Sequence, residues 1–248
     1  MDVSSFVLLG HQQALRRRLD VVANNMANVS TVGFKSEQPV FEEAVRRSDG
    51  EVAKDARSVS FVLDYGATHD TRAGAFQATG NPLDLMIDGP GYLSVSLPDG
   101  TTAYTRAGNL KVLDDGRLGT AGGQVVLGDN GQPIAIPPEA AARLTLSGDG
   151  TVHGPDGPLG RIGVTVFDDE GAVDPRGDGL VDGTGGRLLA AAETKLKSGG
   201  LEGSNVQPIT ETTHMIEILR SYQSSMRLAD NLNDMRKRAI ERLGRLGN

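Results

Sequence analysis

The chain has 248 residues, a formal net charge of −7 at pH 7 and no cysteine. The missing cysteine excludes disulfides, zinc–thiolate sites and cysteine nucleophiles. The acidic balance argues against a general nucleic-acid binder, whose domains are usually basic. Hydrophobic residues make up 38% of the chain, enough for a buried core. No apolar run approaches the ~20 residues that span a bilayer, so we expect a protein that does not cross the membrane.

The N-terminal segment, residues 1–34, predicts a helix with a narrow apolar seam. Its spacing alternates four and three residues, which is typical of a coiled coil. The positions are Leu8, Gln12, Leu15, Leu19, Val22, Met26 and Val29. An acid stands at position 2, and the basic cluster follows the short apolar segment. A secretory signal has the reverse order, so we expect no cleaved signal peptide.

Three asparagines interrupt this helix where its seam is still running. Asparagine lowers helix propensity because its amide competes for backbone groups. Asn24, Asn25 and Asn28 could be polar contacts between packed helices that fix their register. Alternatively they lie at a fraying helix end that Gly33 terminates as a C-cap. Both interpretations remain open at this stage.

The middle of the chain changes character twice. Residues 35–78 show only a weak pattern, which predicts an extended, partly irregular connector. Residues 79–207 hold most of the 33 glycines and several short alternating runs separated by Asp-Gly pairs. Glycine supplies the positive φ of hairpin turns, so this pattern predicts an all-β domain, sandwich-like or barrel-like.

Residues 208–248 predict a second helix. Its seam steps by four and three through Met215, Leu219, Tyr222, Met226 and Ala229. The predicted fold is therefore mainly β, with two terminal helices that form an antiparallel coiled-coil-like pair. The remaining faces of the first helix carry alanine and asparagine rather than Glu/Lys pairs. We therefore expect the helices to pack against other copies or other subunits.

A search for chemistry finds no active site. The four histidines have no close ligand spacing, and the chain lacks a nucleophile elbow, a phosphate loop and a Gly-x-Gly-x-x-Gly motif in its proper context. The Asp-Gly stretches do not match a calcium loop. We therefore predict no catalytic residues, no cofactor, no metal and no small-molecule substrate.

Four segments, in this order, resemble the bacterial flagellar rod and hook proteins. They are "VVANNMANVSTVGFK" (21–35), "TGNPLDLMIDGPGYLSV" (79–95), "AYTRAGNLKVLDDGRLGTAGGQVVLG" (103–128) and "GGLEGSNVQPITE" (199–211). The departures from the common pattern, Met26 and Val32, are mild. The turn and junction residues carried over from these segments are Gly33, Phe34, Pro82, Leu83, Asp84, Gly89, Gly91, Glu202, Gly203 and Asn205.

The resemblance implies a structural subunit of the basal-body rod that stacks helically with copies of itself and with other rod proteins. It also implies export by the flagellar type III apparatus to the periplasmic rod. Chain length and the segments 126–137 and 157–167 favour a proximal-rod member over a distal-rod member of similar size. In isolation we expect poorly ordered termini and a protease-resistant core near residues 80–203.

Two other classes of function are weighed against this one. A free-standing adaptor would form a self-contained helical hairpin as a cooperative monomer. An enzyme acting on cell-wall glycan would need two carboxylates across a cleft, and the sequence marks no such pair.

Overall fold

The computed structural model describes residues 3–46, 59–168, 173–176 and 178–245. Within these residues, the long helices are α1 (Val3–Ala27) and α2 (Pro208–Arg245), and a short 3₁₀ helix spans Ala141–Arg143. The strands are β1 (Glu37–Arg46), β2 (Val59–His69), β3 (Phe76–Ala78), β4 (Leu85–Ile87), β5 (Tyr92–Ser96), β6 (Thr102–Thr105), β7 (Leu110–Val112), β8 (Leu118–Thr120), β9 (Val125–Val126), β10 (Thr145–Leu146), β11 (Thr151–Gly154), β12 (Gly157–Arg161), β13 (Val164–Val166), β14 (Asp174–Pro175), β15 (Leu180–Asp182), β16 (Arg187–Leu188), β17 (Leu196–Ser198) and β18 (Gly200–Glu202). The predicted fold class, mainly β with terminal helices that pack against each other, is confirmed.

The chain divides into two compact units. The helical unit contains residues 1–26, 37–68 and 207–248, and the β unit contains residues 27–36 and 69–206. The β unit therefore takes in residues 27–34, which the sequence pattern assigned to the N-terminal helical segment, as well as 35–36 and 69–78 from the predicted connector.

In the helical unit α1 and α2 run antiparallel. Leu15 and Val22 of α1 form a buried apolar cluster with Ile218 of α2. Closer to the N-terminus of α1, the Gln12 Nε2 lies 3.4 Å from the sulfur of Met226, which is closer to the C-terminus of α2. Earlier residues of α1 thus contact later residues of α2, as expected of an antiparallel helix pair.

The predicted connector also contains regular structure. Strands β1 and β2 form a two-stranded sheet, and β3 pairs antiparallel with β18.

The largest sheet of the β unit has nine strands. Its main path runs β14-β15-β6-β5-β9-β8-β7, with β13 attached to β5 and β16 attached to β13. A three-stranded sheet, β10-β11-β12, is separate. One apolar cluster unites residues of both sheets; its fully buried members include Leu85, Leu93, Leu118, Val126, Val152 and Ile162.

Asp-Gly pairs form turns as the sequence predicted. Between β5 and β6, Gly100 has φ +82°, and the Asp99 carboxylate accepts the Thr101 backbone N–H at 2.9 Å. Asp115 and Asp149 accept the N–H two residues later in the same way, at 3.0 and 3.1 Å. Local side-chain to backbone bonds of this kind are typical of Asx turns.

Candidate functional site at the junction of the chain ends

A buried carboxylate lies where the two ends of the chain enter and leave the β unit. The Glu202 side chain is 1% exposed, and its Oε1 accepts from the Lys35 Nζ at 2.6 Å and from the Gly74 N–H at 2.9 Å. Its Oε2 lies 3.4 Å from the Arg106 Nη1. A buried charge is tolerated only when it is paired and hydrogen-bonded, and here donors from three separate segments satisfy the carboxylate. We call residues 33–36, 70–75, 106 and 202–205 the junction.

The N-terminal side of the junction depends on a glycine. Gly33 adopts φ +70°, and its N–H donates to the Glu202 carbonyl at 2.8 Å. A Cβ at this position would stand 2.6 Å from the Arg106 carbonyl carbon. Gly33 lies six residues beyond the end of α1 at Ala27, so its role is this close backbone approach and not the C-cap considered above.

Backbone contacts also bring the C-terminal side close to residues 74 and 75. The Gly203 N–H donates to the Ala75 carbonyl at 2.9 Å. A Cβ on Gly74 would stand 1.8 Å from the Gly203 oxygen, a distance that no side chain tolerates. The Asn205 N–H donates to the Phe34 carbonyl at 3.3 Å, which connects the two points where the chain leaves the β unit.

The Asn205 side chain connects its own segment to segments 33–36 and 70–75 of the junction. Its Oδ1 accepts the Ser36 N–H at 2.7 Å, and its Nδ2 donates to the carbonyls of Asp70 and Arg72 at 2.8 and 3.0 Å. The Lys35 ammonium donates to the same Arg72 carbonyl at 2.8 Å. An amide can accept and donate at once, which explains asparagine at this position.

The second quoted segment contributes a turn held by Asp84. The buried carboxylate accepts the Thr79 hydroxyl at 2.6 Å and the Asn81 amide at 2.9 Å. The Asp84 carbonyl accepts the Gly199 N–H at 2.8 Å, and Leu83 packs against the main core. This turn therefore fixes the segment that leads into Glu202.

The other motif residues of that segment, Pro82, Gly89 and Gly91, lie in the turns on either side of β4. Pro82 is an exposed residue of the same turn. Gly89 and Gly91 have φ +141° and +114°. A Cβ on Gly91 would stand 3.0 Å from the Thr165 oxygen, whereas one on Gly89 would meet nothing within 4 Å. Neither glycine contributes to the contacts of Glu202 described above.

The structure thus brings Gly33, Phe34, Glu202, Gly203 and Asn205 together. Lys35 and Arg106 were not singled out from the sequence, although both lie inside the quoted segments. Arg106 also stands over the Tyr92 ring, with 5.2 Å from its guanidinium carbon to the ring centroid. The sequence around Lys35 gave only a weak signal, a cation next to the motif residues Gly33 and Phe34. A lysine or arginine near a turn is usually exposed, so the sequence did not indicate that either residue is buried.

The helix seams are placed differently on the two helices. On α1, Leu15 and Val22 are buried and Leu19 and Met26 half-buried, while Val29 lies beyond the helix end. On α2, Met215 packs at the edge of the cluster, but Leu219, Tyr222 and Met226 are 40%, 37% and 42% exposed. The buried positions are Ile218 and Ser225, one residue before Leu219 and Met226.

The three asparagines have separate environments. Asn25 is 1% exposed and hydrogen-bonds the backbone of Glu37. Asn28 accepts the Thr31 hydroxyl at 3.1 Å in the turn after α1. Asn24 is exposed on α1. Asn25 therefore bonds a strand of its own chain and not a neighbouring helix.

Chemically, the junction is suited to holding the chain and not to binding a ligand, because the Glu202 carboxylate is enclosed by protein donors. In the described ranges, no cluster of three or more histidine, aspartate or glutamate side chains could hold a metal ion. Neither described long helix is apolar enough to cross a membrane.

Three family models match this chain. Residues 8–35 match the flagella basal body rod protein model, residues 86–154 the FlgE/F/G D1 domain of flagellar hook proteins, and residues 197–242 the C-terminal model of basal body rod FlgEFG proteins. The first of these models includes Lys35 and the third includes Glu202, the two residues that pair in the junction.

Full-length relatives carry the same description. The chain is 38% identical to the flagellar basal-body rod protein FlgF of Caulobacter vibrioides, over 99% of this chain and 100% of that protein. It is 33% identical to FlgF of Mesorhizobium japonicum, over 98% and 99%. With FlgG of Bacillus subtilis the identity is 36%, over 85% and 88%. The resemblance stated from the sequence is thereby confirmed, and the chain belongs to the family of flagellar basal-body rod proteins.

Proposed function

We propose that this protein is a structural subunit of the bacterial flagellar basal-body rod and that it assembles through its terminal helices. Family membership supports the rod role. The nearly complete matches to FlgF proteins favour a position like that of FlgF, in the proximal rod, over one like that of FlgG, in the distal rod.

The observation that carries the assembly role is an apolar row on α2. Ile216, Leu219, Tyr222 and Met226 are 47%, 40%, 37% and 42% exposed beside the face that packs on α1. We call these four residues the exposed row. Contiguous exposed apolar side chains mark surfaces that bind other proteins. A self-contained adaptor hairpin would have no need of such a row.

The proposal includes partners and place. The row would pack against helices of other copies and of other rod proteins, in the periplasmic part of the basal body. The subunit would arrive there through the flagellar type III export apparatus, with no nucleic acid or small-molecule substrate involved. The role is structural and not enzymatic, and it requires no cofactor.

A matched pair of substitutions tests this proposal. Leu219 of α2 and Leu188 of β16 are both 40% exposed. Because the two leucines are equally exposed, we expect aspartate at either position to cost the isolated fold a similar amount of stability. We expect Leu219→Asp to abolish rod assembly and motility in cells that lack their own copy, because it places a charge in a packed apolar contact.

The Leu188→Asp variant should swim like the parent protein. Circular dichroism and urea unfolding of both purified variants establish that the fold is retained. Normal motility of Leu219→Asp, or equal loss in both variants, would show that the exposed row is not the assembly surface.

A further inference from the structure

We infer that Glu202 is a positioning residue that couples the ordering of the two ends of the β unit, so that neither end becomes fixed without the other. This inference concerns the single chain, and it holds whether or not the proposed rod role is correct.

First, Glu202 accepts hydrogen bonds from three groups. One carboxylate oxygen accepts from the Lys35 ammonium and the Gly74 N–H, and the other accepts from the Arg106 guanidinium. Lys35 and Glu202 are 167 positions apart in sequence. One side chain therefore connects the N-terminal end, the segment before β3, the residue after β6 and the C-terminal end.

The second step is electrostatic. Lys35, Arg106 and Glu202 have side chains that are 7%, 3% and 1% exposed. If the carboxylate is lost, two cations are left in a buried site without the anion between them, which strongly destabilises that site. If Lys35 is lost, Glu202 keeps Arg106 at a longer distance but loses its shortest contact.

The third step concerns the backbone on each side. The Gly33 N–H bonds the Glu202 carbonyl and the Ser36 N–H bonds the Asn205 side chain, so the N-terminal end is held by C-terminal residues. In return, the Asn205 N–H bonds the Phe34 carbonyl. Because the two ends hold each other through these shared bonds, we expect a change that loosens one end to loosen the other as well.

The consequence is that the points where the chain leaves the β unit, after Ser36 and after Val206, are defined together. A contact that fixes one of these ends also stabilises the other, although their sequences are far apart. The buried ion pair and the backbone bonds beside it are the contacts that the two ends share.

Hydrogen exchange of individual amides in the full-length chain tests the coupling. We expect Glu202→Gln to speed exchange of the Gly33 and Ser36 amides by about tenfold or more, since hydrogen bonds to charged groups contribute that much. Lys35→Met should speed exchange of the Gly203 and Asn205 amides by a similar factor. Amides of β5, in the same unit, serve as the internal reference and should change much less.

The matched control is Asp88→Asn, which removes the carboxylate of an exposed ion pair, 3.1 Å from Lys197, with side chains 48% and 53% exposed. This variant should leave exchange at both ends within about twofold. If Glu202→Gln yields too little folded protein, Lys35→Met alone decides, because its readout lies at the opposite end of the chain.

Two results would overturn the inference. One is faster exchange confined to the end that carries the substitution, which would make the two ends independent. The other is equal acceleration at the junction and at β5, which would make Glu202 an ordinary contributor to global stability. A third measurement, the double variant, should show less than the sum of the two single effects, because both changes break the same contact.

Discussion

Asn25 holds both backbone polar groups of Glu37 with one side chain. Its Oδ1 accepts the Glu37 N–H at 2.8 Å, and its Nδ2 donates to the Glu37 carbonyl at 2.9 Å. A neighbouring strand offers an antiparallel partner the same pair of bonds. The buried amide on α1 therefore takes the place of a strand at the first residue of β1, and this is why asparagine stands inside the helix.

Replacing this amide should be costly. We expect Asn25→Ala to lower the free energy of unfolding by about 2 kcal/mol, since two partly buried backbone groups of Glu37 lose their partners. Urea unfolding measures the change. Gln13→Ala, at an exposed position of the same helix, is the control and should stay within about 0.5 kcal/mol of the parent. Equal effects at both positions would contradict a special role for Asn25.

At Ser225 we expect a substitution to stabilise the protein. It is 5% exposed on the face of α2 toward α1, and within the described part of the chain its hydroxyl has no hydrogen-bond partner. Ser225→Ala should raise the free energy of unfolding by about 1 kcal/mol, because an unsatisfied buried hydroxyl is removed and alanine favours the helix.

The control for that substitution is Ser224→Ala, since Ser224 is exposed. It should raise stability only by the helix-propensity difference, about 0.5 kcal/mol. A loss of stability in Ser225→Ala, measured by the same urea titration, would mean that the hydroxyl is satisfied in solution.

Alanine substitutions at two glycines with positive φ distinguish the cost of backbone strain from the cost of a steric clash. Gly100 has φ +82°, and a Cβ there would meet nothing within 4 Å, whereas Gly33 has φ +70° and its Cβ would stand 2.6 Å from the Arg106 backbone. Gly100→Ala should cost about 1 kcal/mol from backbone strain alone. Gly33→Ala should cost at least about 2 kcal/mol more, because the junction must open. Thermal unfolding of both variants makes the comparison, and equal costs would contradict the close approach.

Acid sensitivity should come partly from the Asx turns. The Thr101 hydroxyl, then its N–H, holds the pKa of Asp99 below its ordinary value of 3.8. The Arg117 guanidinium lowers the pKa of Asp115 in the same way, and the Thr151 N–H lowers that of Asp149. A carboxylate whose pKa is lower in the folded state stabilises the fold above its unfolded pKa. That stabilisation is lost as pH falls through the folded pKa.

We therefore expect the free energy of unfolding to be steady above about pH 5 and to fall below it, most steeply under pH 3.8. Asp99→Asn and Asp149→Asn keep an acceptor oxygen for the turn but cannot titrate. Their unfolding free energies, measured by urea titration at several pH values, should fall less steeply in acid than that of the parent. Curves of identical slope would exclude these turns as a source of acid sensitivity.

Whether a feature of the fold could be predicted from the sequence depends on how far apart in sequence its interacting residues are. The Asp99-Gly100 turn was predictable because its bonds connect residues two apart. The α2 face was harder, since Ile218 and Leu219 are both apolar and periodicity alone does not choose between adjacent positions. The choice is made by packing against Leu15 and Val22, which belong to the other end of the chain.

The junction lay outside the reach of local patterns for the same reason. Lys35 and Glu202 each look like ordinary surface charges in sequence, and only the fold places them together in a buried site. Asn25 was noticed as unusual, but a partner twelve positions later in an extended segment leaves no periodic signal. The family resemblance pointed to the segments without indicating which side chains meet.

The separation between Lys35 and Glu202 also sets an order of events during synthesis. A chain that emerges amino end first presents its lysine and Gly33 long before the glutamate exists, so the β unit has to wait for its last contacts until residues 202–205 are available. An interrupted chain that stops before this point cannot close the unit. Closure of the β unit thus requires that both of its ends have been synthesised.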